Sequence, residues 1–250
     1  MKYTLLSETA SVKKISEKDN IGKFHIEGLY TGYGMTLGNA LRRVLLSSFP
    51  GAAITQIKIN GVDHEFSTVP GMSEDVVEFC LNLKKVRFHF FADEPQVLSL
   101  RAKGEKEVTA KDIQSTTLAR VVNPELHLGT LTKKGVELDA EITVEKGLGY
   151  VPAENRRLER LPVGVIILDA VFSPITRVSF SVENMRVGDR TDYDRLFLDI
   201  ETDGTISPSE ALHKASNILK DHFGKVSEIE VIKTEPDAEE PITGKKKKKK

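Results

Sequence analysis

The sequence predicts an α+β fold on three observations. Two stretches with helical apolar spacing lie near opposite ends of the 250-residue chain. Between them run several segments of alternating or β-branched residues. Helix and strand signals do not alternate regularly, which disfavours a doubly wound parallel sheet.

Residues 23–29 alternate and form a strand that leads into a glycine-rich turn. There the run Gly32-Tyr-Gly-Met-Thr-Leu-Gly-Asn-Ala-Leu-Arg-Arg-Val-Leu-Leu-Ser-Ser48 begins, and its spacing predicts a helix over 36–48. Counting about 100° per residue from Leu37, Leu41, Val44, Leu45 and Ser48 share one face. Asn39, Arg42, Arg43 and Leu46 share the other. A solvated helix surface normally carries Lys and Glu, so two guanidinium groups beside a leucine suit a protein partner. Pro50-Gly51 ends the helix.

Residues 54–59 read as a strand, Asn60-Gly61 as a hairpin turn, and 62–69 as the returning strand. After the Pro70-Gly71 break, Ser73 caps a helix that has Glu74 and Asp75 in its first turn and Cys80 as a buried thiol. Two β-rich runs within 86–102 flank Asp93-Glu-Pro95 as a second hairpin. Residues 105–130 are weakly patterned. Residues 136–145 alternate cleanly, placing Val136, Leu138, Ala140, Ile142 and Val144 on one face. A loop over 146–153 follows, its two glycines permitting a tight conformation, then strands at 165–172, 177–184 and 196–201. The last helix, 207–223, opens on Ser207-Pro-Ser-Glu210, an N-cap with proline at N1 and a capping-box glutamate. Gly224 marks its end. Beyond Ile232 the chain is acidic, proline-containing and then six lysines, a disordered composition.

Composition is that of a globular protein, 39% hydrophobic and 29% charged, with net charge −1. Taking the six terminal lysines from the 36 basic residues leaves 30 against 37 acidic ones, so the body stands at −7. A basic nucleic-acid groove is not its global signature. One cysteine excludes an intrachain disulfide and points to a reducing, cytoplasmic setting. There is no signal-peptide run and no apolar stretch long enough to span a membrane.

Catalytic constellations are scarce. Gly32-x-Gly34-x-x-x-Gly38 departs from a dinucleotide fingerprint: its third glycine is one residue late, and no acidic residue between Pro50 and Val62 could hold a ribose. No Gly-Lys-Ser/Thr phosphate loop or Gly-x-Ser-x-Gly elbow occurs. The six histidines lack metal-ligand spacing. Asp189, Asp192 and Asp194 alternate with Arg190 and Arg195, which favours a salt-bridged loop over a metal site. Asn184-Met-Arg186 and Arg156-Arg157 read as surface contacts. Lys245–Lys250 fits either a phosphate-gripping tail or a solubilising one. The residues alone describe a non-enzymatic interaction protein that self-associates through amphipathic helices and carries an arginine-bearing face for another partner. The alternative is a stand-alone small-molecule enzyme using the glycine-rich turn.

The opening run, with Phe24-His-Ile-Glu-Gly-Leu29 before it, resembles the N-terminal region of bacterial RNA polymerase alpha subunits. The resemblance resumes at Asn60-Gly-Val-Asp-His-Glu-Phe-Ser-Thr68, Gly147-Leu-Gly-Tyr-Val-Pro-Ala153 and Asp169-Ala-Val-Phe-Ser-Pro174. It closes at Asp189-Arg-Thr-Asp192 and Asp203-Gly-Thr-Ile-Ser-Pro-Ser-Glu-Ala211, covering roughly 20–225. It implies a discontinuous dimerisation subdomain, 1–50 plus 175–232, with two long helices on a sheet. A strand-rich subdomain, 51–174, is inserted to contact the large polymerase subunits, and 233–250 is a tail. It implies a homodimer that recruits the beta and beta-prime subunits, with omega and sigma in the complex and DNA reached only through the holoenzyme. Arg43 is the position associated with beta binding, with Arg42 and Asn39 beside it. Leu37, Leu41, Leu45, Leu212, Ile218 and Leu219 are the expected dimer contacts. No cofactor, catalytic residue or membrane contact is implied for this chain, which would work in the cytoplasm, at the nucleoid. The family's usual C-terminal DNA-binding domain has no counterpart in the residues after 233.

Overall fold

The computed structural model describes residues 8–156 and 162–229, and in it both ends of the chain build one sheet. In chain order, β1 (Ser11–Lys18) and β2 (Ile21–Leu29) form a hairpin, followed by helix α1 (Tyr33–Ser47) and β3 (Pro50–Ile59). A short helix, α2 (Val76–Leu83), precedes β4 (Phe88–Phe90), β5 (Gln96–Lys103), β6 (Lys106–Thr109), β7 (Ala119–Val121) and β8 (His127–Leu131). Next come β9 (Glu137–Leu148), β10 (Tyr150–Val151), β11 (Val165–Ile167) and β12 (Ala170–Val171). A long hairpin, β13 (Ile175–Val187) and β14 (Arg190–Thr202), leads to helix α3 (Pro208–Ser227).

The end-derived sheet has the order β1-β2-β14-β13, with β14 antiparallel to β2 across more than 160 residues of sequence. Its inner face presents Phe24, Ile26, Val178, Leu196, Leu198 and Ile200, and α1 and α3 cover it with Leu41, Leu45, Ala211, Leu212 and Ala215. Each large aliphatic side chain so buried contributes on the order of 1.5–3 kcal/mol. A second core lies in the middle of the chain, where the sheet β11-β3-β9-β5 packs Ile57, Leu98, Leu138 and Ile142 against Phe79 and Leu83 of α2. Arg87 and Asp203 join the two halves, Nε to Oδ2 3.5 Å.

Several local expectations give way to longer-range pairing. Asn60-Gly61 does turn, with Gly61 at φ 81°, but 62–69 is not a strand. Both edges of β3 are already taken by β9 and β11. The run 86–102 is no hairpin either: β4 pairs with β7 and β5 with β9. Asp75, not Ser73, caps α2, accepting from the Glu78 N–H at 2.7 Å. The proposed loop 146–153 is partly strand, because Gly147 pairs with Gly51 beneath the Phe172 ring. Residues 105–130 contain β6, β7 and most of β8, and β1 lies upstream of any strand read from the sequence. Helix α3 runs through Gly224 to Ser227. Val165–Ile167 and Ala170–Val171 divide the strand expected at 165–172. Arg157 and the tail after residue 229 lie outside the described residues.

Helix α3 is anchored at its N-terminus twice. Ser207 accepts from the Glu210 N–H at 3.2 Å, as the motif predicts, whereas the Glu210 carboxylate pairs with Lys214. Glu17 on β1 also reaches across and accepts from the Ser209 N–H and hydroxyl at 2.9 and 2.6 Å. Those bonds from Ser209, helped by Lys14, lower the Glu17 carboxyl to about 2.

His127 ties three segments together. Its Nδ1 lies 2.7 Å from Glu107 on β6, and its Nε2 lies 3.2 Å from Glu74 in the segment before α2. Glu74 in turn accepts from the Thr130 N–H at 2.6 Å. Burial alone lowers the His127 pKa, but the hydrogen bonds and charges of Glu107 and Glu74 outweigh it and raise the value above 6.5. A raised histidine pKa means the protonated ring stabilises the fold fully below the unfolded value, and this stability is lost as pH rises through the folded value. Wild type is therefore expected to lose unfolding free energy as pH rises from 6.5 through that raised value, and His127→Gln to flatten the dependence in that window. Parallel pH profiles of the two proteins would contradict this assignment.

Candidate functional site

Helix α1 has little reason to be a helix by itself. Gly32 at its N-cap offers no side-chain acceptor, and no acidic residue lies in its first turn. Gly34 and Gly38 are inside it, each costing about 1 kcal/mol relative to alanine. A fifteen-residue helix of this kind is marginal in water without tertiary support. Two features of the sheet beneath supply that support.

The first is a buried carboxylate. Asp194 on β14 is 6% exposed, and its Oδ2 accepts from the N–H groups of Gly32 and Gly34, both at 2.9 Å. These are orphan donors of a helix N-terminus, where the dipole also favours negative charge. The second is close approach. A Cβ on Gly34 would come within 2.7 Å of Val182 Cγ1, and one on Gly38 within 2.6 Å of the Phe180 ring. Gly32 differs: with φ at 84° it makes the left-handed entry to the helix, and there is open space beside it. Only Gly32 therefore belongs to the turn expected from the motif, which forms no phosphate cradle. Gly34 and Gly38 let α1 lie against β13 and β14.

The Asp189–Arg195 run is only in part the self-compensating loop expected. It closes the β13–β14 hairpin and starts β14. Arg190 does pair with Asp192 through two bonds, 3.0 and 2.6 Å. That guanidinium also sits over Tyr30 and Tyr193, 5.0 and 5.2 Å from the ring centroids. The Arg190 bond and the Thr31 hydroxyl lower the Asp192 carboxyl to about 2. Arg195, however, pairs with Glu27 on β2 at 3.1 Å, leaving Asp194 to the helix.

On this base the outer face of α1 presents Asn39, Arg42, Arg43 and Leu46 to solvent, as the periodicity predicts. Among the described residues, no carboxylate of this chain pairs with Arg42 or Arg43. The six residues read as dimer contacts divide differently. Leu41 and Leu45, at 5% and 0% exposure, belong to this chain's own core, and Leu212 is buried beside them, so they leave little surface for a second copy. Leu37, Ile218 and Leu219 are half-buried at the core's edge. Farther along α3, Phe223 and Val226 are 65% and 70% exposed, apolar residues absent from the expected dimer contacts. Their i, i+4, i+7 spacing from Leu219 was the available signal. Among the described residues no cluster of three His, Cys, Asp or Glu is arranged to hold a metal, and no helix is long and apolar enough to cross a membrane.

The fold on which these residues stand is a discontinuous sheet carrying two helices, with a second strand-rich core between its halves. Residues 57–173 match the family described as the RNA polymerase Rpb3/RpoA insert domain. The chain is 50% identical over 232 residues to the DNA-directed RNA polymerase subunit alpha of Symbiobacterium thermophilum, covering 90% of this chain and 73% of that one. It is 44% identical over 239 residues to the alpha subunit of Alkaliphilus oremlandii, covering 92% and 75%. The figure for Limosilactobacillus reuteri is 48% over 218 residues, covering 86% and 69%. The chain belongs to the family of DNA-directed RNA polymerase alpha subunits, and so to a nucleotidyltransferase complex.

The packing beneath α1 can be tested directly. Gly38→Ala gains about 1 kcal/mol of helix propensity but forces a methyl onto the Phe180 ring, an overpacking cost of about 1–3 kcal/mol. The variant is expected to unfold at lower denaturant than wild type. A higher midpoint would mean that α1 stands farther from β13 than described.

Proposed function

We propose that this chain is the dimeric platform on which the polymerase assembles, with no nucleotide chemistry of its own. A boundary near 51 and 174 separates the dimerisation subdomain from the insert, in keeping with the two separate cores. Two copies associate through the half-buried edge Leu37, Ile218 and Leu219, extended by the exposed Phe223 and Val226. An exposed apolar stripe of this kind marks an interface. The beta subunit docks on Arg43, with Arg42 and Asn39 beside it, and beta-prime, omega and sigma complete a complex through which DNA is engaged. The site of this work is the cytoplasm, at the nucleoid.

The observation that carries this reading is the outward pair of arginines on a helix fixed from below, free of carboxylate partners among the described residues. A planar guanidinium in that position can bind a carboxylate or carbonyl pair through two parallel bonds. Arg43→Ala is expected to sediment as a dimer and to bind purified beta subunit about tenfold or more weakly, the loss of one interface hot spot. Loss of the dimer with unchanged beta binding per protomer would reject the role given to Arg43. Purified chain alone should incorporate no nucleotide.

A further inference from the structure

The binding face of α1 and the carboxylate that caps it lie on opposite ends of the chain. Gly34 and Asp194 are separated by 160 residues, yet the N–H of one meets the Oδ2 of the other in a buried contact. The cap is unusual because one oxygen takes both the Gly32 and Gly34 donors. Two bonds to one point on a rigid strand fix both the height of the helix on the sheet and its rotation. Rotation matters here. At 100° per residue, a small turn of α1 about its axis moves Asn39, Arg42 and Arg43 together toward or away from a docking surface.

We propose that Asp194 is a positioning residue for assembly: it sets the phase of α1 and thereby aims Arg43 at the beta subunit. This rests on the reading of Arg43 given above. Asp194 itself is buried, so it acts through the helix it caps. Interfaces demand such placement, since a side chain held loosely by its supporting residues loses the geometry that two-point hydrogen bonding requires. The neighbouring contacts agree with this role. Arg190, Asp192 and Thr31 tie the tip of the β13–β14 hairpin to the turn that starts α1, adding a second link between the strand carrying Asp194 and the helix entry. Gly34 is part of the same device, because a Cβ there would lie 3.0 Å from both Cβ and Oδ2 of Asp194.

A positioning role must be separated from general stability, and Glu17 provides the control. It caps the other helix from the same sheet, on β1, the edge strand opposite β13. Full-length wild type, Asp194→Ala, Asp194→Asn, Gly34→Ala, Glu17→Ala and Arg43→Ala would be compared for thermal midpoint, dimer mass and affinity for purified beta subunit. Asp194→Ala and Gly34→Ala are expected to remain dimeric and bind beta about tenfold more weakly. Asp194→Asn, which keeps an acceptor oxygen, recovers most of that affinity. Glu17→Ala loses thermal stability yet binds like wild type. The proposal is overturned if Asp194→Ala and Gly34→Ala bind normally, or if Glu17→Ala loses as much affinity for the same drop in midpoint. Should Asp194→Ala not fold, Gly34→Ala and Asp194→Asn decide by the same criteria. Arg43→Ala separates the layers. Normal binding by that variant rejects the docking reading itself, whereas weak binding beside normal Asp194 and Gly34 variants rejects positioning alone.

Discussion

The buried bond between Asp194 and the first amides of α1 is the constraint from which the rest of this architecture follows. A helix with two internal glycines, a glycine N-cap that offers no side-chain acceptor and no acidic first turn would fray in isolation. Lying on β13 and β14 with Asp194 beneath its N-terminus, it becomes a fixed platform. Because the carboxylate is itself buried, it needs those two donors as much as they need it. The sheet therefore cannot keep Asp194 without the helix, and the helix cannot keep its place without the sheet.

The same logic recurs at α3. Glu17 from β1 meets the Ser209 N–H, so the edge strand β1 and the central strand β14 each lend a carboxylate to a helix far away in sequence. The hairpins β1–β2 and β13–β14 meet only after the middle of the chain has been made. The insert carries its own core and touches this unit through contacts such as Arg87 with Asp203. Long-range pairings of this kind slow folding, and they mean that the arginine face is presented only by a completed subdomain.

Local periodicity was a faithful guide wherever burial decides the pattern. Leu41 and Leu45 on α1, Ala211 and Leu212 on α3, and the alternation from Leu138 to Val144 on β9 all face the cores they imply. Punctuation was a poorer guide. Asn60-Gly61 turns the chain, but the strand pairs it implies are overruled by β9, which lies some 80 residues downstream and matches β3 along its length. Gly224 fails as a stop because the exposed helix simply continues past it. Asp194 was legible only as one charge in a run of charges. Nothing local distinguishes it from Asp192, which ends half-exposed beside Arg190, whereas Asp194 points inward at a helix formed 160 residues earlier. The alternation of β14 does place it opposite Leu29, at the rim of the core, but only once the β14–β2 register is known.

Amide hydrogen exchange at Gly32 and Gly34, in the free chain and after adding the polymerase beta subunit, tests the central claim most directly. If Asp194 fixes α1 in advance, both amides exchange slowly in the free chain, at a rate set by unfolding of the whole subdomain. Adding the partner then brings new protection only farther along, across residues 39–46. Exchange at Gly32 and Gly34 as fast as in an unstructured segment, with protection appearing only when the partner binds, would contradict the account. The helix would then be ordered by its partner rather than by the sheet beneath it.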